Sequence, residues 1–200
     1  MILGITGQFA SGKSTVARII AKLCRAVIID ADKIGHLVLS DSKVKMDLKK
    51  HFGKDIIIKG AVNRKALAEK AFAGPESHKA LCRITHPLLA GKILDEITKI
   101  KAKNPQAVII IDAAVLIEMG LLKYVDKLAA VKINRVEQIR RGCRKWKLSP
   151  FEINKRIKLQ IPASRLFKKA DFIIDNSGNP GKTRKQIQKM RDEICQKMKK

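Results

Sequence analysis

The chain has 200 residues, 43 of them Lys or Arg against 18 Asp or Glu, which gives a formal net charge of +25 at pH 7. With 46% hydrophobic and 30% charged residues it has the balance of a globular domain, and disordered and fibrous classes are excluded. Its apolar runs, such as 107–111, fall far short of the ~18 residues a membrane helix needs, and the first residues lack the basic segment and cleavage signal of a leader, so a cytoplasmic protein without membrane contact is expected.

Ile2 to Thr6 is an apolar run followed by a glycine loop and a helical pattern at Val16, Ile19, Ile20 and Leu23, which predicts strand, loop and helix. Residues 26–29 predict a second strand closing on Asp30-Ala31-Asp32. Residues 33–103 are mostly helical in pattern, with breaks expected at Gly53, Gly60, Gly74-Pro75 and His86-Pro87. A third strand, 107–111, ends in Asp112, and a fourth covers 127–133. Residues 134–169 predict two helices around Leu148-Ser149-Pro150, 171–174 a fifth strand, and the chain from Pro180 to its end a basic helix. This order implies a largely parallel sheet with helices on both faces.

The charge is unevenly spread. Residues 134–169 hold 12 basic and 2 acidic side chains, net +10, and residues 179–200 hold 8 and 2, net +6. A pI near 10.2 invites a nucleic-acid partner, but aromatics are only 4% and leave few stacking platforms for single strands. Phosphorylated small molecules suit the same potential. Cys24, Cys82, Cys143 and Cys195 form no C-x-x-C pair, so they are expected as reduced thiols rather than as metal ligands or a redox pair.

Gly7-x-x-x-x-Gly12-Lys13-Ser14 matches the phosphate-loop pattern, with the strand before and the helix after that it requires. The glycines allow a tight turn that presents backbone N–H groups, those of Ala10 and Ser11 among them, to phosphate oxygens at a helix N-terminus. In that arrangement Lys13 reaches the β- and γ-phosphates of ATP, Ser14 offers its hydroxyl to Mg²⁺, and Thr15 bonds a phosphate oxygen. Asp112, at the carboxyl end of a buried strand, is placed either to hold a water of the Mg²⁺ shell or to cap a helix. Asp30 and Asp32 follow the second strand, and Asp32 either orients an acceptor hydroxyl and takes its proton or caps the helix that follows. The basic arm supplies Arg140, Arg141, Arg144, Arg156 and Arg165, of which two or three are expected to touch ligand.

The chain resembles the dephospho-CoA kinases from end to end. The shared features are the loop Gly7 to Thr15, Ile29-Asp30-Ala31-Asp32, His51-Phe52-Gly53, Asn63-Arg64 with Leu67, and Ile84-Thr85-His86-Pro87. They continue with Asp112 before Leu116 and Glu118, Gln138 and Arg141, Arg156-Ile157 with Gln160, and Ala170-Asp171 through Asp175-Asn176. The resemblance implies a P-loop α/β/α fold with a five-stranded parallel sheet: a nucleotide-binding core at 1–32, 104–133 and 170–200, a helical CoA-substrate region at 33–103, and a helical lid at 134–169. It implies ATP-dependent phosphorylation of the ribose 3′-hydroxyl of dephospho-CoA, the last step of coenzyme A synthesis, with Mg²⁺. Asp32 would activate the acceptor, Arg141 would be carried over the nucleotide, and His36, Arg64 and His86 would line the substrate cleft, although a His before Pro is more often structural. A monomer or small homo-oligomer without a specific nucleic-acid partner is expected. The competing readings are another P-loop small-molecule kinase, for a nucleoside or a sugar, and a nucleic-acid-binding ATPase. Gln8-Phe9-Ala10 depart from a glycine-richer family loop, Trp146-Lys147 stand where an acid and a glycine are common, and Asp112-Ala113-Ala114 lack the proline usual after the strand.

Overall fold

A computed structural model describes residues 1–197, with side chains through residue 194. Two compact units emerge, one formed by 1–30 with 97–200 and the other by 31–96.

In the first unit the aliphatic runs become strands β1 (Ile2–Thr6), β2 (Val27–Asp30), β5 (Ile109–Asp112), β6 (Lys127–Lys132) and β7 (Phe172–Asp175). They form one sheet in the order β2-β5-β1-β6-β7, and every pairing is parallel. Such a sheet must be covered on both faces, which explains why all four residues of β5 are buried. Helices α1 (Lys13–Cys24) and α9 (Pro180–Lys197) pack together, with Val16, Ile20, Ile187 and Met190 meeting Leu3, Ile5 and Ile110 of the sheet. The expected terminal helix is thus present through Lys197, and positions 198–200 lie outside the described residues. Cys24, Cys82 and Cys143 are not joined in disulfides, and the side chain of Cys195 lies outside those described.

Residues 134–169 hold three helices where two were expected: α6 (Arg135–Trp146), α7 (Pro150–Lys158) and α8 (Ala163–Lys169). Pro162 provides the additional break, since its ring cannot continue α7 and it precedes the first residue of α8. Ser149 and Glu152 form a reciprocal capping box at the start of α7. Close packing joins α6 to α7, because a Cβ on Gly142 would fall 2.6 Å from Ile153 Cδ1, and Arg135 donates a hydrogen bond to Asn154.

The second unit holds α2 (Ala31–Val38), α3 (Ser42–Phe52), α4 (Arg64–Ala71) and most of α5 (Pro75–Lys103). Its core includes Leu48, Phe52, Ile56 and Leu67. Two differences from the helical expectation stand out. The break at Gly60 is a small antiparallel hairpin, β3 (Ile57–Ile58) with β4 (Ala61–Val62). Its turn has Lys59 at φ 49° and Gly60 at φ 78°, the paired positive φ values of the turn that matches strand twist. The expected break at His86-Pro87 does not occur, and α5 runs through Pro87. The proline removes one amide donor, while the turn before it gains a bond from Thr85 Oγ1 to the Leu81 carbonyl at 2.8 Å. Among the described residues no helix is long and apolar enough to cross a membrane.

Candidate active site

The loop after β1 leaves the carboxyl edge of the sheet, where open parallel sheets bind ligands. Gly12 adopts φ 84° and begins α1 without a side-chain cap, so amides at the helix N-terminus stay available to an anion. No other residue fits at Gly12: a Cβ there would lie 2.3 Å from Asn176 Nδ2 and 3.3 Å from Arg141 Nη1. Ser11 is 1% exposed, and its buried hydroxyl has no hydrogen-bond partner among the described residues. An orphaned hydroxyl inside a glycine-shaped cradle is what a phosphate-bearing ligand would satisfy.

The buried polar side chains gather around this loop, where each needs a partner to offset its desolvation. Gln138, in α6, donates through Nε2 to the Phe9 carbonyl at 2.7 Å. Asn176, just past β7, donates through Nδ2 to the Ser11 carbonyl at 2.9 Å, and Thr183 Oγ1 donates to Asn176 Oδ1 at 3.3 Å. Thr6 Oγ1 donates to the Ala114 carbonyl at 3.2 Å. Gln160, partly buried after α7, accepts the Phe9 N–H at 2.6 Å.

Arg141 projects from α6 to Gly12. Its Nη2 donates to the Asn176 carbonyl at 3.0 Å and its Nε to Glu137 Oε1 at 2.7 Å. Arg140 also bonds Glu137, and the two guanidiniums hold that carboxyl down at about 2. Beside the loop is a cavity of about 460 Å³ whose lining includes Gly12, Thr15, Arg140, Arg141, Trp146 and Asn176. Such a volume suits a nucleotide. Lys13 and Ser14 occupy the first turn of α1.

The acids fall where the strands end. Asp30 pairs in register with Asp112, and Asp112 with Ile5, so β2 and β5 finish side by side in carboxylates next to the loop strand. Asp112 is 4% exposed. No group of three or more His, Cys, Asp or Glu among the described residues could cage a metal. The buried strand-end carboxylate of Asp112 and the Ser14 hydroxyl are the groups that could hold a magnesium ion of the kind that keeps most of its waters and rests on phosphates.

In the second unit, Asp32 lies in the first turn of α2, and His36 lies one turn later, so both share a helix face. Asp32 is inside the helix rather than at the preceding cap position, which narrows the capping alternative. The Arg64 guanidinium donates to His36 Nε2 at 2.7 Å, and His36 must accept, since Arg has only donors. These two residues and Lys45 line a cavity of about 410 Å³. His86 is half-buried on α5 and does not line it. Burial, with His78 adding to it, pushes the His86 imidazole below its ordinary value.

Gln138, Gln160 and Asn176 stand in the resemblance motifs without a role in the sequence reading, and their hydrogen bonds now supply one. A glutamine in the first turn of an amphipathic helix, on the face where α6 is buried, was the available signal.

The sequence profile of the dephospho-CoA kinase family matches residues 1–181. The dephospho-CoA kinase of Geobacter sulfurreducens is 34% identical over 192 residues, covering 94% of this chain and 96% of the relative. That of Aquifex aeolicus is 35% identical over 198 residues, covering 96% of each chain. The solved structure of the Campylobacter jejuni dephospho-CoA kinase superposes with a TM-score of 0.67 at 28% identity, covering 96% of each chain. With a phosphate loop, a strand-end acid pair and an arginine held at Gly12, the chain belongs to the dephospho-CoA kinase family of P-loop kinases.

Proposed function

We propose that the chain transfers the γ-phosphoryl group of ATP to the ribose 3′-hydroxyl of dephospho-CoA, with Asp32 as the acceptor-orienting carboxylate. The observation that carries the nucleotide half is the cradle at Gly12, closed by Asn176 and Arg141. Family membership carries the choice of acceptor.

On this reading the Lys13 ammonium and the backbone N–H groups of the loop and first turn of α1 bind the triphosphate, apart from those of Phe9 and Ser11, which bond Gln160 and the Gln8 carbonyl; Ser11 offers its buried hydroxyl instead, and Thr15 bonds a phosphate oxygen. Magnesium, held by the Ser14 hydroxyl and through a bound water by Asp112, would neutralise charge on the β- and γ-phosphates. Arg141 is pre-placed to counter charge that builds on the transferring group, a stabilisation that costs no reorganisation during the reaction. The 3′-oxygen attacks the γ-phosphorus, the bond from that phosphorus to the bridging oxygen breaks, and ADP leaves. Asp32 orients the hydroxyl and takes its proton late. His36 and Arg64, with Lys45 beside them, face the same cavity, and two permanent cations there suit the acceptor's pyrophosphate. His86 is assigned a secondary contact with the acceptor.

In this assignment residues 1–32, 104–133 and 170–200 form the nucleotide core, 33–103 the substrate region and 134–169 the lid. A cytoplasmic setting, where ATP is abundant, suits the reaction. A panel of acceptors tests the proposal: ADP release, corrected for hydrolysis, should rise with dephospho-CoA and stay at background with nucleosides, shikimate and gluconate. Background activity on dephospho-CoA would overturn it.

A further inference from the structure

The tip of the phosphate loop is held by groups that the transfer chemistry does not use. The Phe9 ring meets the Trp146 indole with centroids 4.5 Å apart and planes tilted by 40°, a geometry that aromatic quadrupoles favour. A cation flanks each ring: Arg156 lies 5.5 Å from the Phe9 centroid and Lys145 Nζ 4.5 Å from that of Trp146. Both backbone groups of Phe9 are also occupied, its N–H by Gln160 and its carbonyl by Gln138. Gln8 Nε2 donates to the Ile161 carbonyl at 3.2 Å. The N–H of Phe9 is therefore turned to protein rather than to a phosphate.

Trp146 is the last residue of α6, and Lys147 behind it ends the helix at φ 55°. The stack thus pins the end of α6 at the loop, one to two turns beyond Arg141. Because α6 is fastened to α7 at Gly142 and Ile153, the two helices are anchored together. The indole is 38% exposed and lines the nucleotide cavity.

We propose that Phe9 and Trp146 are positioning residues for ATP: their stack docks α6 on the phosphate loop before nucleotide arrives, so that Arg141 already stands at Gly12 in the free enzyme. This inference rests on the reading that ATP occupies the loop cavity. Without the stack, ATP must itself order α6, and the population competent to bind falls. Once ATP is bound the same contacts re-form, so the cost appears in KM for ATP and little in kcat.

Trp146 is the single tryptophan of the chain, which makes its fluorescence a direct reporter. In Phe9→Leu without nucleotide, its emission should shift to the red and become more accessible to acrylamide, and saturating ATP should reverse much of the change. KM for ATP should rise roughly three- to tenfold, the range expected from losing an aromatic pair, while kcat and KM for dephospho-CoA stay within about twofold. Trp146→Leu should show the same kinetic split, and Trp146→Phe, which keeps a ring, should restore KM for ATP. A merely structural role would lower Tm without this split. The inference is overturned if both leucine variants leave KM for ATP unchanged, or if Trp146→Phe is as impaired as Trp146→Leu. Were the wild-type protein inactive on dephospho-CoA, the functional reading would fail. The calorimetric Kd for ATP in the same variants would still decide whether the stack positions nucleotide.

Discussion

The phosphate-loop end of the molecule and the residues assigned to the acceptor are built in different ways. Around the loop, Gln138, Asn176 and Thr183 are buried and bonded, and Arg141 is held by Glu137 and by a backbone carbonyl. Asp32, His36 and Arg64 are exposed, on a helix face and a helix start, and Arg64 donates to His36 at 2.7 Å. Satisfied buried networks rigidify what they hold, so the nucleotide end is pre-organised at the expense of tolerance to change. Exposed side chains can be replaced without disturbing the fold. Stability and activity should therefore separate: substitutions at the loop should cost both, and substitutions at the acceptor residues activity alone.

The largest effect belongs to Asp32→Asn. Its kcat should fall about 10²- to 10⁴-fold, the usual contribution of a positioned acid or base, with Kd for ATP and Tm unchanged. A parallel fall in Tm would break the comparison. Lys13→Ala should lower kcat by about 10²- to 10³-fold, as loss of a charge aimed at the transition state does. It should also weaken ATP binding, which Asp32→Asn should not. Steady-state kinetics alongside calorimetric ATP binding checks both.

Asn176→Ala sharpens the other side of the comparison. It strands the buried Ser11 carbonyl and removes one of two acceptors of the Thr183 hydroxyl, which keeps the Asp175 carbonyl; this should lower unfolding free energy by about 1–3 kcal/mol as read by urea denaturation, and raise KM for ATP as well. The smallest effect is expected at Glu137→Gln. Arg140 and Arg141 depress the Glu137 carboxyl to about 2 in the folded chain, below its unfolded value near 4.5. Its contribution is then complete above about pH 4.5 and is lost as pH falls toward about 2. Because Arg140 is largely exposed, solvent screens the pair and removing it should cost little at pH 7. The variant should flatten the acid limb of a plot of Tm against pH.

Much of this was legible from local pattern. The apolar strand, the glycine loop and the helical period of α1 announce themselves within twenty-odd residues, and acids closing apolar runs mark the carboxyl ends of β2 and β5. What escaped is what local pattern does not encode. The β3–β4 hairpin has strands of two residues each, too short for alternation to register. Pro87 reads as a helix stop, but tertiary context carries α5 past it. The Asn176 to Ser11 bond joins residues 165 apart, and the Phe9 to Trp146 contact joins a loop to the far end of a helix. Such pairings exist only once the sheet order has brought β7 and α6 to the loop. For that reason the residues proposed to bind ATP could be named from the motif, while those that hold the motif in shape could not.

The central claim is the identity of the acceptor atom, and ³¹P NMR of the product tests it most directly. With ATP, Mg²⁺ and dephospho-CoA, the account predicts a new phosphomonoester resonance coupled to the ribose H3′, growing in step with ADP while the acceptor pyrophosphate signals persist. ADP accumulating with inorganic phosphate alone, or a phosphomonoester at any other position, would contradict it.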